Sequence, residues 1–124
     1  MTLKELVQSY TFHDSGLLGI EFLSDSKSIK MEVNFCNWAQ DDYTEDLPEI
    51  QIVYFIFHQV SYFDDGGLLV GENDPSCYDF LDEKLLNDNG KEGIEFTMYH
   101  SKLKQGKFMR IFAHDVEWIR GEAT

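Results

Sequence analysis

Between Met31 and Glu83 the chain has neither lysine nor arginine. The same stretch holds thirteen carboxylates: Glu32, Asp41, Asp42, Glu45, Asp46, Glu49, Asp64, Asp65, Glu72, Asp74, Asp79, Asp82 and Glu83. The remaining residues carry 10 acids (23 − 13) against all 10 bases, so the formal charge of −13 belongs to this one segment. Such a field opposes phosphate, and the lack of a basic patch excludes nucleic acid as the expected partner. It steers a basic protein partner instead, while saying nothing about fold or oligomeric state.

Long apolar runs are missing as well. The longest, Ile52 to Phe57, is less than a third of the roughly 20 residues needed to cross a bilayer, so no membrane span is expected. Only two cysteines occur, Cys36 and Cys77, too few for a disulfide framework. The stretch Met1 to Leu6 has neither the basic run nor the apolar stretch of a secretory signal, which points to a reducing, cytoplasmic compartment and free thiols. Repeats and a Pro/Ser-rich linker are lacking too, so residues 1–124 read as a single domain.

What is present in quantity is aromatic: ten phenylalanines, six tyrosines and two tryptophans, enough to build a core despite the charge. Leu3, Leu6, Val7 and Tyr10 recur at helical spacing and predict a short amphipathic helix over residues 2–10. From there the period becomes two. Leu18, Ile20 and Phe22, then Ile29, Met31, Val33 and Phe35, predict a hairpin with one buried face, and only an odd-sum register such as Phe22 opposite Ile29 or Met31 aligns its apolar sets. Residues 50–57 are apolar at both parities, which predicts a central strand covered on both faces.

A second hairpin follows, with Ile94, Phe96 and Met98 facing Met109, Ile111 and Ala113 if paired positions sum to 207. Asp74-Pro75 resembles a helix start, and Tyr78, Leu81 and Leu85 continue at helical spacing toward Asn89-Gly90. The expected fold is α+β: an antiparallel sheet of about five or six strands (hairpin, central strand, C-terminal hairpin) with one or two short helices. Phe12, Ile20, Phe22, Met31, Val33, Ile52, Ile56, Phe96 and Ile111 are its expected core.

Chemistry is sparse. Phe12-His13-Asp14-Ser15-Gly16 sets an imidazole, a carboxylate and a hydroxyl in a row, but consecutive side chains diverge, so Asp14 and Ser15 are expected to satisfy turn amides rather than catalyse. An alternative assembles a ligand pocket or active site from His13, Asp14 and His58. A thiol at Cys36 beside His58 lacks any local activator. His13, His58, His100 and His114 lack the spacing of a metal half-site, and aligning Asp88–Gly93 as a calcium loop puts Tyr99 where the bidentate glutamate belongs. Neither metal nor cofactor is expected, and Asp64-Asp65-Gly66-Gly67 sets acids where a phosphate loop needs none.

The Phe12-His13-Asp14-Ser15 string, entering a first strand of an antiparallel sheet in a small acidic protein, resembles bacterial families classed as toxin-immunity proteins. The resemblance implies a cytosolic, non-catalytic inhibitor of a basic toxin, and phosphate mimicry would then explain the charge. The residues expected to touch the partner are Trp38, Asp41, Asp42, Tyr43, Glu45, Asp46, Tyr62, Asp64 and Asp65, because aromatics beside charges are the types that anchor interfaces.

Overall fold

The computed structural model describes residues 1–23, 27–67 and 78–123. Strands account for 60% of the described residues, and the one α-helix among them, α1 (Leu3–Ser9), is short. The expectation of an α+β fold with five or six strands is therefore corrected to one eight-stranded antiparallel sheet. Its strands are β1 (Gly16–Leu23), β2 (Ser28–Cys36), β3 (Ile50–His58), β4 (Tyr62–Asp64), β5 (Tyr78–Asp88), β6 (Lys91–His100), β7 (Gln105–Phe112) and β8 (Asp115–Ala123). They lie side by side in the order β4-β7-β6-β5-β1-β2-β3-β8.

The largest departure is β5. Its residues were expected to continue a helix, yet they form an eleven-residue strand hydrogen-bonded to β6. A bulge between Phe80 and Asp82 explains the deceptive spacing, because it shifts the buried side from Tyr78 and Phe80 to Glu83 and Leu85. Asn89-Gly90, read as a helix end, is a two-residue hairpin turn: Asp88 pairs with Lys91, and the turn residues have φ of 52° and 84°. The proposed helix start at Asp74-Pro75 lies outside the described residues.

The first hairpin forms in the expected odd-sum register, with Phe22 opposite Ile29 and Ile20 opposite Met31. In the second the pairs sum to 205 rather than 207, as in Ile94 with Ile111 and Phe96 with Met109, a slip of two that keeps the same faces buried. Strand β3 lies next to the β8 edge, with Val53, Phe55 and Phe57 in the core. Ile52 and Ile56 face outward instead, and Phe22, at the strand end, is 55% exposed. Helix α1 covers β5, β6 and β8 rather than β3's outer face.

Thr2 caps α1: its hydroxyl accepts from Glu5 N–H while the Glu5 carboxylate accepts from Thr2 N–H. Leu3 and Leu6 are thereby turned into the core. The sheet curls strongly. Ala113 and His114 alone connect β7 to β8, strands near opposite ends of the sheet order, and His114 N–H donates to His58 O at 3.0 Å. Phe12 fills the fold between the two halves, with ring centroids 5.7 and 4.9 Å from Phe35 and Phe55 on one side and 5.2 and 4.9 Å from Phe80 and Phe96 on the other.

Candidate functional site

The expected partner-binding residues separate into two places. Trp38, Asp41, Asp42, Tyr43, Glu45 and Asp46 lie on the loop before β3, whereas Tyr62, Asp64 and Asp65 lie just after it. The nine residues of β3 rise about 3.3 Å each, so its ends are about 26 Å apart. The structure does not bring the two groups into one surface.

The loop is anchored by two side chains whose partners are remote in sequence. Asn37, buried in a single 3-10 turn, donates to Pro48 O at 2.9 Å and accepts from Arg120 at 2.9 Å. Gln40 brackets residue 11, accepting from Thr11 N–H at 2.8 Å and donating to Thr11 O at 2.7 Å and Cys36 O at 2.8 Å. Backbone bonds from Asn37 and Trp38 N–H to Glu49 O close the base. On this frame Trp38 is 49% exposed, and Asp41, Asp42, Glu45 and Asp46 are exposed. Among the described residues no ion pair involves any of those four carboxylates. Tyr43 is half-buried.

The second group is engaged with its own chain. Asp64 accepts from Gly66 N–H and Asp65 from Gly67 N–H, each at 2.9 Å, which is the local turn chemistry of aspartate. Asp64 also lies 4.0 Å from Arg110. Tyr62 remains half exposed on the short edge strand β4, its ring 6.0 Å from that of Phe112.

Around Phe12–Ser15 the side chains diverge. His13 donates from Nδ1 to Leu81 O at 2.9 Å, and its Nε2 is 3.6 Å from Asp14. That carbonyl first, and Asp14 second, raise the His13 pKa. Ser15 is fully buried and its hydroxyl accepts from Cys36 N–H at 2.9 Å. Among the described residues Asp14 caps no amide with its side chain, contrary to expectation. It occupies a left-handed turn position at φ 67°, and Asp14 N–H donates to Phe80 O, Ser15 N–H to Phe12 O.

Glu83, not anticipated, accepts from Phe12 N–H at 2.6 Å; desolvation is the main cause raising its pKa. Burial likewise pushes the Cys36 thiol up, leaving it a poor nucleophile, and the thiol donates to Asp14 O at 3.2 Å. Cys77 lies outside the described residues.

The alternative pocket of His13, Asp14 and His58 is not formed, since His58 ends β3 at the opposite end of the sheet from Phe12–Ser15. Cys36 pairs with Ile50 at the start of β3, so it does not meet His58 either. His58 joins a chain that sequence reasoning missed: Ser28 Oγ lies 3.2 Å from its Nδ1, and Glu117 meets its Nε2. These residues are neighbours across β2, β3 and β8 on the outer sheet face. The adjacent cleft of about 230 Å³ is lined by Phe22, Leu23, Lys27, Ser28, Ile29, Val60 and Phe63. Ser28, His58 and Glu117 thus form a cross-strand ladder over β2, β3 and β8.

A cleft of about 400 Å³ is lined by Gln59, Ser61, Lys91, Glu92 and His114, next in sequence to His58 and Tyr62. No group of three or more metal-ligating side chains occurs among the described residues, and none of their helices is long and apolar enough to cross a membrane. The chain matches no family model, no curated protein and no solved structure.

Proposed function

We propose that the chain is an acidic, non-catalytic binding protein that docks a basic partner through Trp38 and the carboxylates Asp41, Asp42, Glu45 and Asp46, acting in the cytoplasm as an immunity-type inhibitor of a basic toxin. The observation that carries the proposal is the loop itself. Four exposed carboxylates outside the ion pairs of the described residues stand beside a half-exposed tryptophan, on a base locked by Asn37 and Gln40. A preorganised aromatic anchor with a charged rim loses little conformational freedom on binding and recruits its partner by long-range attraction. The toxin assignment rests further on the resemblance carried by Phe12-His13-Asp14-Ser15.

Tyr62, Asp64 and Asp65 do not belong to this docking surface, because they sit at the other end of β3 and both aspartates serve the Gly66-Gly67 turn. Affinity capture from the source cell at low and high salt tests the proposal. A basic protein retained at low salt, released by added salt and not retained by the Asp41→Lys, Asp42→Lys, Glu45→Lys, Asp46→Lys variant supports it; retention by that variant contradicts it.

A further inference from the structure

The β6–β7 hairpin is the charge complement of the acidic stretch. Residues 96–114 contain no aspartate and no glutamate, but they hold Lys102, Lys104, Lys107 and Arg110. Arg110 is taken up by Glu95 at 2.6 Å, with Asp64 at 4.0 Å. Lys102 and Lys104 are exposed on the turn, and no ion pair among the described residues involves them. Beside them the outer face of the hairpin presents Tyr99 and Phe108, 36% and 50% exposed, and the turn presents Leu103 at 48%. Among the described residues this is an exposed apolar patch beside two turn lysines, with the exposed Asp79 paired opposite Tyr99.

Strand register puts that face at the same end of the sheet as the acidic loop. A line of paired residues runs from Asn34 through Gly16, Asp79 and Tyr99 to Gly106, and both turns project beyond it. When two chains meet end to end about a two-fold axis, each acidic loop faces its mate's lysine turn and the contact forms twice.

We propose that the face made by Tyr99, Leu103 and Phe108, with Lys102 and Lys104, docks a second copy of this chain through the mate's Trp38 and loop carboxylates. The formal charge of −13 on each copy opposes association at long range. At about 0.15 M salt the Debye length is about 8 Å, so repulsion between more distant charges is largely screened while charges in contact across the turns are screened less. A small interface of this kind makes a weak dimer, and a basic partner for the loop competes with the mate for it. The dimer does not depend on the basic-partner reading, since it requires only the two surfaces of this chain.

Sedimentation equilibrium of the full chain at about 0.15 M salt, over roughly 10 μM to 1 mM, tests this. The mass is expected to rise from 14.5 kDa toward 29.0 kDa (2 × 14.5). The Lys102→Glu, Lys104→Glu variant and the Asp41→Lys, Asp42→Lys, Glu45→Lys, Asp46→Lys variant should each remain monomeric. Mixed one to one they should form a heterodimer, because positions 41, 42, 45, 46, 102 and 104 are then all acidic in one chain and all basic in the other. Trp38→Ala should weaken the wild-type dimer by roughly tenfold, the loss of one interface anchor. A wild-type chain that stays monomeric throughout, single variants that still dimerise, a mixture that does not associate, or growth beyond two copies would each overturn the proposal.

Discussion

Trp38–Asp46 and Tyr62–Asp65 read alike in one dimension, as aromatics beside acids in a stretch without a base. In three dimensions the first group presents its carboxylates to solvent from a loop held by Asn37 and Gln40, whereas Asp64 and Asp65 accept from the amides of Gly66 and Gly67. The difference is one of local backbone demand. Gly66 and Gly67 adopt φ of 63° and 91°, and a turn of that shape exposes N–H groups that the preceding aspartates satisfy. In the loop, backbone bonds such as Gln40 N–H to Asn37 O and Leu47 N–H to Thr44 O meet much of that demand, leaving the acids available to a partner. Charge density alone does not identify an interface; what the carboxylates already hold decides it.

The largest expected effect concerns the frame from which both groups hang. Phe12 is fully buried between the two halves of the curled sheet, so Phe12→Ala should cost about 3–5 kcal/mol in chemical unfolding. A cost below about 1 kcal/mol would mean that the halves are not held together there, and the separation of the two groups would lose its basis. Next comes the loop's anchor. Gln40→Ala strips hydrogen bonds from Thr11 N–H, Thr11 O and Cys36 O, and should cost about 1–3 kcal/mol while also raising amide exchange across residues 37–49. An unchanged exchange pattern would show that the loop does not depend on that anchor.

Asp65→Ala sharpens the comparison from the other side. Loss of its bond to Gly67 N–H should lower stability by about 1 kcal/mol, with no effect on partner association. The smallest effect concerns Glu83, a carboxylate of the same stretch that is turned inward. Its folded pKa is raised above 4.5 by desolvation, so the native state holds the proton more tightly than the unfolded chain. Its contribution is therefore favourable below that pH and is lost as pH rises through the folded value. Glu83→Gln keeps an acceptor for Phe12 N–H and removes the charge, and should flatten the stability profile in the window just above pH 4.5. Parallel profiles for the two proteins would contradict the desolvation argument.

The parts of the fold visible in the chain are those where burial leaves a period. The inward sides of Ile20, Met31, Phe96 and Met109 follow from alternation, whereas the two-residue slip in the second hairpin could not be detected because it leaves every face unchanged. Strand β3 is apolar at both parities, which hid that Val53, Phe55 and Phe57 point inward and Ile52 and Ile56 do not. In β5 the bulge after Phe80 broke the period and imitated a helix, although Asn89-Gly90 carried a hairpin signal. Of the site, the acids and Trp38 could be named from composition. Their division into two places, and the roles of Asn37, Gln40, Arg120 and Glu83, depend on bonds spanning 11 to 83 residues, for which the linear sequence offers no local mark.

The central claim is that the loop at residues 38–46, and not the turn at residues 62–65, is where a basic partner docks. Its most direct test is the association rate of the captured partner at low ionic strength and sub-micromolar concentration, measured against two variants. Lysine at positions 41, 42, 45 and 46 changes the formal charge from −13 to −5 (−13 + 8), which relieves self-repulsion and leaves the fold intact. With that variant association should slow by roughly tenfold or more, whereas the Asp64→Asn, Asp65→Asn variant should associate within about twofold of the native rate. Equal rates for all three proteins, at low and high salt alike, would contradict the account and reduce the acidic stretch to a device for solubility.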